Sequence, residues 1–287
     1  MKILYCSDIH ENEEHLSTLL RKAKKERVSA AIIGGDLIPK QRFFKLFRTR
    51  EYNKLPIVQA EYIQNELVPA IRAYKRQHAD TVFYLDIGND DFFIARRPLE
   101  TAEEEGLLRL LHMRKWPLTE EVDILGYMAV PPTPFAIKDL EKADSVIEFA
   151  CSVDSRRTGL FTSPDGKGLV IEDLQWDETS TIEYDLQQLE KQIDKPFIFV
   201  CHAPPFGTAL DTMWNGIHVG SRAVLQWIEK WGADGRLQAS FHGHIHESSR
   251  ASGKIVDYIN GVPCFNPGQA ELFQSYVFDL DDLIKTK

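Results

Sequence analysis

The sequence predicts an α/β layered fold, and three observations carry that prediction. Short apolar runs rich in β-branched and aromatic residues alternate with longer segments whose apolar residues recur at helical spacing. The composition of the 287 residues, 43% hydrophobic and 27% charged, is that of a globular chain with a sizeable core. Side chains able to bind metal stand repeatedly at the C-terminal ends of the apolar runs, where α/β folds bind ligands.

The first apolar run is Ile3 to Cys6 and the second Ser29 to Ile33. Between them, "HLSTLLRKAKKER" places Leu16, Leu19, Leu20 and Ala23 at helical spacing with a basic outer face. "IVQAEYIQNELVPAIRAYKRQ" is a helix that Pro69 kinks or divides, because proline lacks the N–H and its ring clashes with the preceding turn. A third strand follows in "TVFYLDIGND". Beyond it, "TAEEEGLLRLLHMRK" predicts a helix, "VDILGYMAV" a strand and "PPTPF" a turn. Residues 135–180 carry few periodic signals, and "TSPDGKG" within them predicts an exposed hairpin tip. From Leu186 the alternation returns: a short helix, the strand "PFIFVCH", a loop to about Gly220, the helix "SRAVLQWIEKW" and the strand "LQASFHGH". The last strands are "KIVDYIN", "VPCFNP" and "SYVFDL". With no internal repeat, low-complexity tract or linker, the chain is expected to form one domain over residues 1–287.

A formal net charge of -9 disfavours attraction to long nucleic acid or an anionic membrane surface. The four cysteines, at 6, 151, 201 and 264, are too scattered for a disulfide framework or a C-x-x-C site; Cys6 and Cys201 fall within apolar runs. The chain opens on "KILYCSDIH" without a basic n-region and apolar h-region ahead of the first strand. No apolar run approaches the roughly 20 residues that span a bilayer. A soluble, cytoplasmic protein is the expectation.

The stretch "ASFHGHIHESS" concentrates His242, His244 and His246 behind a strand. Alternate residues of an extended chain share a side, and Gly243 lets the backbone bend so that two imidazoles converge. A solvated turn would carry the same letters, so the rest of the chain decides. Asp8 and His10 follow the first strand, Asp36 the second, Asn89 and Asp90 the third, and His202 the "FIFVC" strand. Together these donors suit two divalent ions with Asp36 as the shared carboxylate. Mixed nitrogen and oxygen ligation favours Mn, Fe, Zn or Ni over Ca or Mg. Two such ions hold a hydroxide and clamp phosphoryl oxygens, so phosphoester hydrolysis is the expected chemistry.

In order, "SDIH", "GGD", "GND", "CH" and "GHIH" resemble the D-x-H, G-D, G-N-H, H, G-H-x-H series of the calcineurin-like metallophosphoesterases. Within that superfamily, "HAPPFGTALD", "HVGSRAV", "GHIHES" and "NPG" are similar to the Icc-related predicted phosphoesterases. The resemblance implies a four-layer sandwich, two mixed β-sheets flanked by helices with the metals at one edge, and a family-variable insert over about residues 91–180. It implies that Asp8, His10 and His246 bind the first ion, that Asp36 bridges, and that Asn89, His202 and His244 bind the second. His242 is left over, with a structural or supporting role. "NPG", from Asn266 to Gly268, is expected to shape a turn beside the metals.

One position departs from the family series: Asp90 stands where a histidine usually follows G-N, near the leaving-group oxygen. An ordinary aspartate titrates near 3.9 and is ionised at neutral pH, and nearby cations favour the anion, which makes a poor general acid. Activity biased toward acidic leaving groups is one expectation. Asp90 protonated through burial, Asp90 as a ligand and lost catalysis are the others. Asn89, Asp90 and His218 are candidates for contact with substrate, and His218, in "NGIHVGS", for supplying the missing acid or for ordering its loop.

Other residues carry bland readings. His15, His78 and His112 are expected on exposed helix faces, and Cys201 as a packed thiol turned away from His202. Arg156 and Arg157 form either a phosphate contact or a solvated pair. Phe206 and Trp214, about the "GTALD" loop, form either an apolar wall for an aryl or nucleoside group or ordinary packing. The expected substrate is a small phosphoester, with a nucleotide open and a diester favoured over a monoester. Two rival readings stand beside it: a catalytically weak or inactive metal- or nucleotide-binding protein, and a nuclease within a larger assembly.

Overall fold

The structure is a computed structural model that describes residues 1–146, 157–175, 177–269 and 272–284. Its first half runs β1 (Lys2–Cys6), α1 (His15–Glu26), β2 (Ala30–Ile33), α2 (Phe44–Thr49), α3 (Leu55–Tyr62), α4 (Val68–Lys75), β3 (Val82–Leu85), α5 (Arg97–Glu104), β4 (Arg109–Leu110), β5 (Arg114–Pro117) and β6 (Asp123–Tyr127). The second half continues through β7 (Thr158–Thr162), β8 (Leu169–Asp173), α6 (Ile182–Leu189), β9 (Phe197–Cys201), α7 (Arg222–Asp234), β10 (Leu237–Phe241), α8 (Ser248–Ser252), β11 (Val256–Ile259), β12 (Val262–Phe265), β13 (Tyr276–Asp279) and α9 (Leu280–Ile284).

Two large mixed sheets result. One has the order β13-β1-β2-β3-β4 and the other β11-β12-β10-β9-β6-β5. In the first, β1, β2, β3 and β4 are parallel and β13 closes antiparallel on β1. In the second, β12, β10, β9 and β6 are parallel, with β11 and β5 antiparallel at the two edges. Strands covered on both faces need apolar residues on both, which is why β2 and β9 are buried at every position instead of alternating.

The period of two along β9 shows how the layers form. Ile198 and Val200 face the other sheet, in the core that holds Ile3, Ile32, Phe241 and Phe265. Phe197, Phe199 and Cys201 face α6 and α7, where Leu186, Trp227 and Trp231 cover them. Phe199 and Trp227 have ring centroids 4.3 Å apart. Helix α7 starts where Ser221 Oγ accepts from Val224 N at 3.0 Å, and it stops at Gly235 in the left-handed region, φ 89°. On the far side, α1 buries Leu16, Leu19 and Ala23 against the first sheet. The order is therefore helices, sheet, sheet, helices.

Most expected elements are present, the 163–168 turn between β7 and β8 among them. The expected helix over "TAEEEGLLRLLHMRK" is corrected: α5 ends at Glu104, and Gly106, at φ 72°, turns the chain into β4. Leu110 then pairs with Leu85, so strand pairing overrides the helical spacing of the leucines. The long helix around Pro69 is divided, with a π-turn at Ile63–Leu67 between α3 and α4. Val68 N donates to Ile63 O across that wider turn, just ahead of Pro69, which has no N–H to give.

The histidines expected on exposed helix faces lie otherwise. His15 is buried at the start of α1, edge-on to Phe273. His112 is on no helix and accepts from Met128 N at 3.0 Å through Nδ1, while His78 lies half-buried against Tyr74. Cys6, Cys201 and Cys264 are buried free thiols; Cys151 and Arg156 lie outside the described residues. No described helix is long and apolar enough to cross a membrane.

Candidate metal centre

Each sheet delivers half of one site. Asp8, Asp36 and Asn89 follow β1, β2 and β3 of the first sheet; His202 follows β9 and the histidine cluster follows β10 of the second. Asp8, Asp36 and His244 adopt left-handed backbone at φ 55°, 53° and 66°. A non-glycine residue there costs on the order of 1–3 kcal/mol, so surrounding bonds must hold it. Asp8 N donates to Gly35 O at 3.1 Å, His10 N to Asp36 O at 3.2 Å, and His244 N to both oxygens of Asp8 at 3.1 Å. The Tyr5 hydroxyl donates to His242 O at 2.7 Å and joins the two sheets directly behind the site.

Asp8, His10, Asp36 and His246 bring four ligand atoms within 4.8 Å of one another. His10 Nε2 and His246 Nε2 are 3.1 Å apart, His246 Nε2 is 3.2 Å from Asp8 Oδ1, and His10 Nδ1 is 3.6 Å from Asp36 Oδ2. Beside them, His202 Nε2 is 3.0 Å from Asn89 Oδ1 and 3.4 Å from Asp36 Oδ2, and its ring centroid is 5.4 Å from that of His244. Donors bound at about 2.1 Å around one tetrahedral ion stand about 3.4 Å apart, so carboxylate and imidazole atoms at these spacings fit a first-row divalent ion. Asp8, His10, Asp36 and His246 form one tight group, and His202, with Asn89 and His244 beside it, adjoins that group at Asp36.

Two glycines make that approach possible. A Cβ on Gly88 would overlap Asp36 Oδ1, and one on Gly243 would overlap Ser7 Oγ and lie 2.5 Å from Asp8 Oδ2.

Supporting bonds aim the donors. His202 Nδ1 is 2.6 Å from Gly34 O, so donation from Nδ1 fixes the tautomer whose Nε2 lone pair faces the carboxylates. His242 is buried among the Ser240 hydroxyl and the Cys201 and Ala203 carbonyls; it braces the loop that carries His202. Asn266 Nδ2 reaches Leu210, Gly243 and Ile245 carbonyls, and Gly268 sits at φ 65° against His246 O, so "NPG" does shape a turn beside the centre.

Electrostatics favour a cation. Burial pushes the Asp8 carboxyl up, but His246 and His202 hold it at about 2. Asp36 likewise stays well below the carboxylate range through His202 and His10 despite its burial. Burial drives His10 and His244 down to about 3, neutral as ligands must be. Burial also opposes charge on His202, yet Asp36 and Asp8 hold it at about 9: two buried anions draw a positive charge into the site, and a metal ion supplies one outright.

Asp90 differs from the expectation of an ordinary ionised aspartate. Burial and Asp36 raise its carboxyl, and Lys40, whose Nζ is 3.0 Å from Asp90 Oδ2, opposes the rise. Its N–H donates to Asp36 Oδ1 at 2.9 Å, and Asp90 Oδ2 is 3.6 Å from His10 Nδ1. His218 Nδ1 is 2.7 Å from Asp211 Oδ1, and its ring lies edge-on to Phe206, so these contacts order its loop. Trp214 is exposed beneath Arg250, and Arg222 stacks on Phe206 at 3.8 Å.

Sequence reasoning passed over Lys40 and Asp91. Asp91 Oδ2 accepts from Leu37 N and Gly88 N, each at 3.0 Å, and so ties the loops after β2 and β3 together. A carboxylate directly after Asp90 was visible, but nothing local marks its inward turn.

Residues 1–248 match the calcineurin-like phosphoesterase family, and the chain belongs to it. No curated protein sequence matches the chain significantly. Solved structures share the fold at low identity. TT1561 of Thermus thermophilus is 15% identical, with 98% of this chain and 95% of that one aligned at a TM-score of 0.57. A dimetal phosphatase from Danio rerio is 10% identical, with 96% and 91% aligned at a TM-score of 0.51. The family and the clustered donors together make this protein a metal-dependent phosphoesterase.

Proposed function

We propose that the protein hydrolyses small phosphodiesters at a two-ion centre. The observation that carries this reading is the convergence of Asp8, His10, Asp36 and His246, with Asn89, His202 and His244 on the far side of Asp36. In it, Asp8, His10 and His246 hold one ion, Asn89, His202 and His244 the other, and Asp36 both. When bound, two first-row ions such as Mn, Fe, Zn or Ni supply Lewis acidity and a water of lowered pKa. The chain's own groups do the rest. The left-handed turns at Asp8, Asp36 and His244 fix the donors before substrate arrives, which limits reorganisation in the reaction. Gly34 O keeps the His202 Nδ1 proton pointed away from the site.

Preference for a diester follows from charge. Asp90 lies against His10 and Asp36, where the second negative charge of a monoester would be repelled more than the single charge of a diester. The -9 net charge favours a small substrate over long nucleic acid. The test is hydrolysis of bis-p-nitrophenyl phosphate and p-nitrophenyl phosphate by metal-stripped protein reloaded with Mn, Fe, Zn, Ni or Mg, with Asp36→Asn as control. Metal-restored turnover that the variant abolishes, with the diester favoured, is the expected result. Binding of every metal without turnover would instead support a binding protein, a reading that rests on Asp90 in the family's histidine position.

A further inference from the structure

Two apolar recesses open beside the centre, one ending on Asp90 and the other on His244. The first, about 280 Å³, is walled by Phe43, Phe44, Phe47, Phe135 and Ile137. The second, about 170 Å³, is walled by Pro131, Pro134, Phe135, Met213, Val219 and Ile245. Phe135 belongs to both, so it forms the ridge between them. Phe44 and Phe135 expose 62% and 51% of their surface, an unusual outlay of large aromatic area next to a charged site.

We propose that the recesses seat the two ester arms of the substrate: an aromatic arm in the phenylalanine-lined recess and a smaller uncharged arm in the proline- and methionine-lined one. This rests on the phosphodiesterase reading and narrows it to diesters whose two arms are both uncharged. The sizes suit the assignment, since an apolar cavity of about 150 Å³ holds a benzene ring. Walls of this kind with polar groups at one end orient a ligand whose phosphoryl end faces the polar groups. Charge selects as well. Glu247 lines the smaller recess and, among the described residues, no Lys or Arg does, so an anionic arm is excluded there. In the larger recess Lys40 is engaged by Asp90. The proline run "PPTPF" stiffens the ridge, and Phe135 N donates to Thr133 Oγ1 at 3.1 Å.

The experiment compares kcat/KM of the metal-loaded protein on p-nitrophenyl phosphodiesters whose second arm is methyl, butyl, phenyl or carboxymethyl. The phenyl arm is expected to exceed methyl by about 10-fold or more, with carboxymethyl slowest, since a fitted apolar group discriminates by roughly 10–200-fold. With the p-nitrophenyl arm in the larger recess, Phe135→Ala, on the shared ridge, should bring the phenyl-to-methyl ratio to about 3 or below; Phe44→Ala, which lines the larger recess alone, should lower kcat/KM for every ester alike; and Met213→Trp, which fills the smaller recess, should raise KM for the phenyl ester. Metal-dependent turnover with the same kcat/KM for every arm would overturn the two-arm assignment and leave the phosphoesterase standing. If no ester is turned over with any metal, the phosphodiesterase reading falls instead. Calorimetry of diphenyl against dimethyl phosphate on the metal-loaded protein then decides the recesses: tighter diphenyl binding that Phe135→Ala weakens supports them, and equal binding overturns them.

Discussion

Lys40 and Asp90 form an ion pair at 3.0 Å on the rim of the metal centre, at the position where the family series places a histidine. Lys40 favours the charged form of Asp90, while burial and Asp36 raise its carboxyl. A carboxylate ion-paired to an ammonium is a poorer proton donor than an imidazolium, so the wild-type rate should fall steeply as leaving-group pKa rises. Asp90→His is expected to flatten a Brønsted plot and to raise the rate on poor leaving groups, by up to about 10²-fold, the low end of general acid catalysis. The same shallow slope in both proteins would remove Asp90 from the account.

Metal removal should destabilise the fold through the same residues. An ion present at about 100 times its Kd adds about 2.7 kcal/mol to stability. Chelator should therefore lower the Tm of the wild type, and Asp36→Asn should show little of that drop, because its shared carboxylate is gone. Differential scanning calorimetry with and without Mn or Zn reads both values.

The buried pair of Lys138 and Glu141 gives a test away from the metals. Lys138 Nζ donates to Glu141 Oε2 at 2.5 Å and to Thr133 O at 2.7 Å, with both side chains out of solvent. Glu141→Leu leaves an ammonium buried without its carboxylate, at a cost of about 3–5 kcal/mol in urea unfolding. Lys138→Met combined with Glu141→Leu should recover most of that loss. Because this pair anchors the loop that presents Phe135, the single variant should also lose preference for aryl esters.

His112 sets a pH dependence. Burial lowers its pKa to about 4, against an unfolded value near 6.5, although Asp86 and Asp185 pull the other way. The unfolded chain takes the proton first, so the contribution is complete above pH 6.5 and is lost as pH falls toward 4. The stability difference between wild type and His112→Gln should shrink over that window by up to about 3 kcal/mol, at 1.36 kcal/mol per pKa unit. A difference independent of pH would show that folding leaves the His112 pKa unchanged and would overturn this account.

The residues of the candidate centre were legible in the sequence because each follows a strand whose apolar run is unambiguous, as with Asp36 after "AAII" and His202 after "FIFVC". Parallel strands end on one edge, so residues far apart in sequence share a site by topology alone. Lys40 and Asp91 were not legible, since their roles depend on loops that fold back onto the centre. The segment after α5 misled for a physical reason: its leucines have helical spacing, but Gly106 and the open edge of β3 decide the backbone. His15 illustrates the same limit, a polar residue among charged neighbours that tertiary packing covers.

The division of the ligands between the sheets governs when the centre can first exist. Asp8, His10, Asp36 and Asn89 leave the ribosome early, whereas His244 and His246 come more than two hundred residues behind Asp8, and Gln269, whose amide holds Ser7 O at 2.8 Å, later still. A nascent chain thus displays only an oxygen-rich half-site without the second sheet to close it. The full set of donors can meet only once the second sheet has docked on the first, so an ion held by all of them requires both sheets in place.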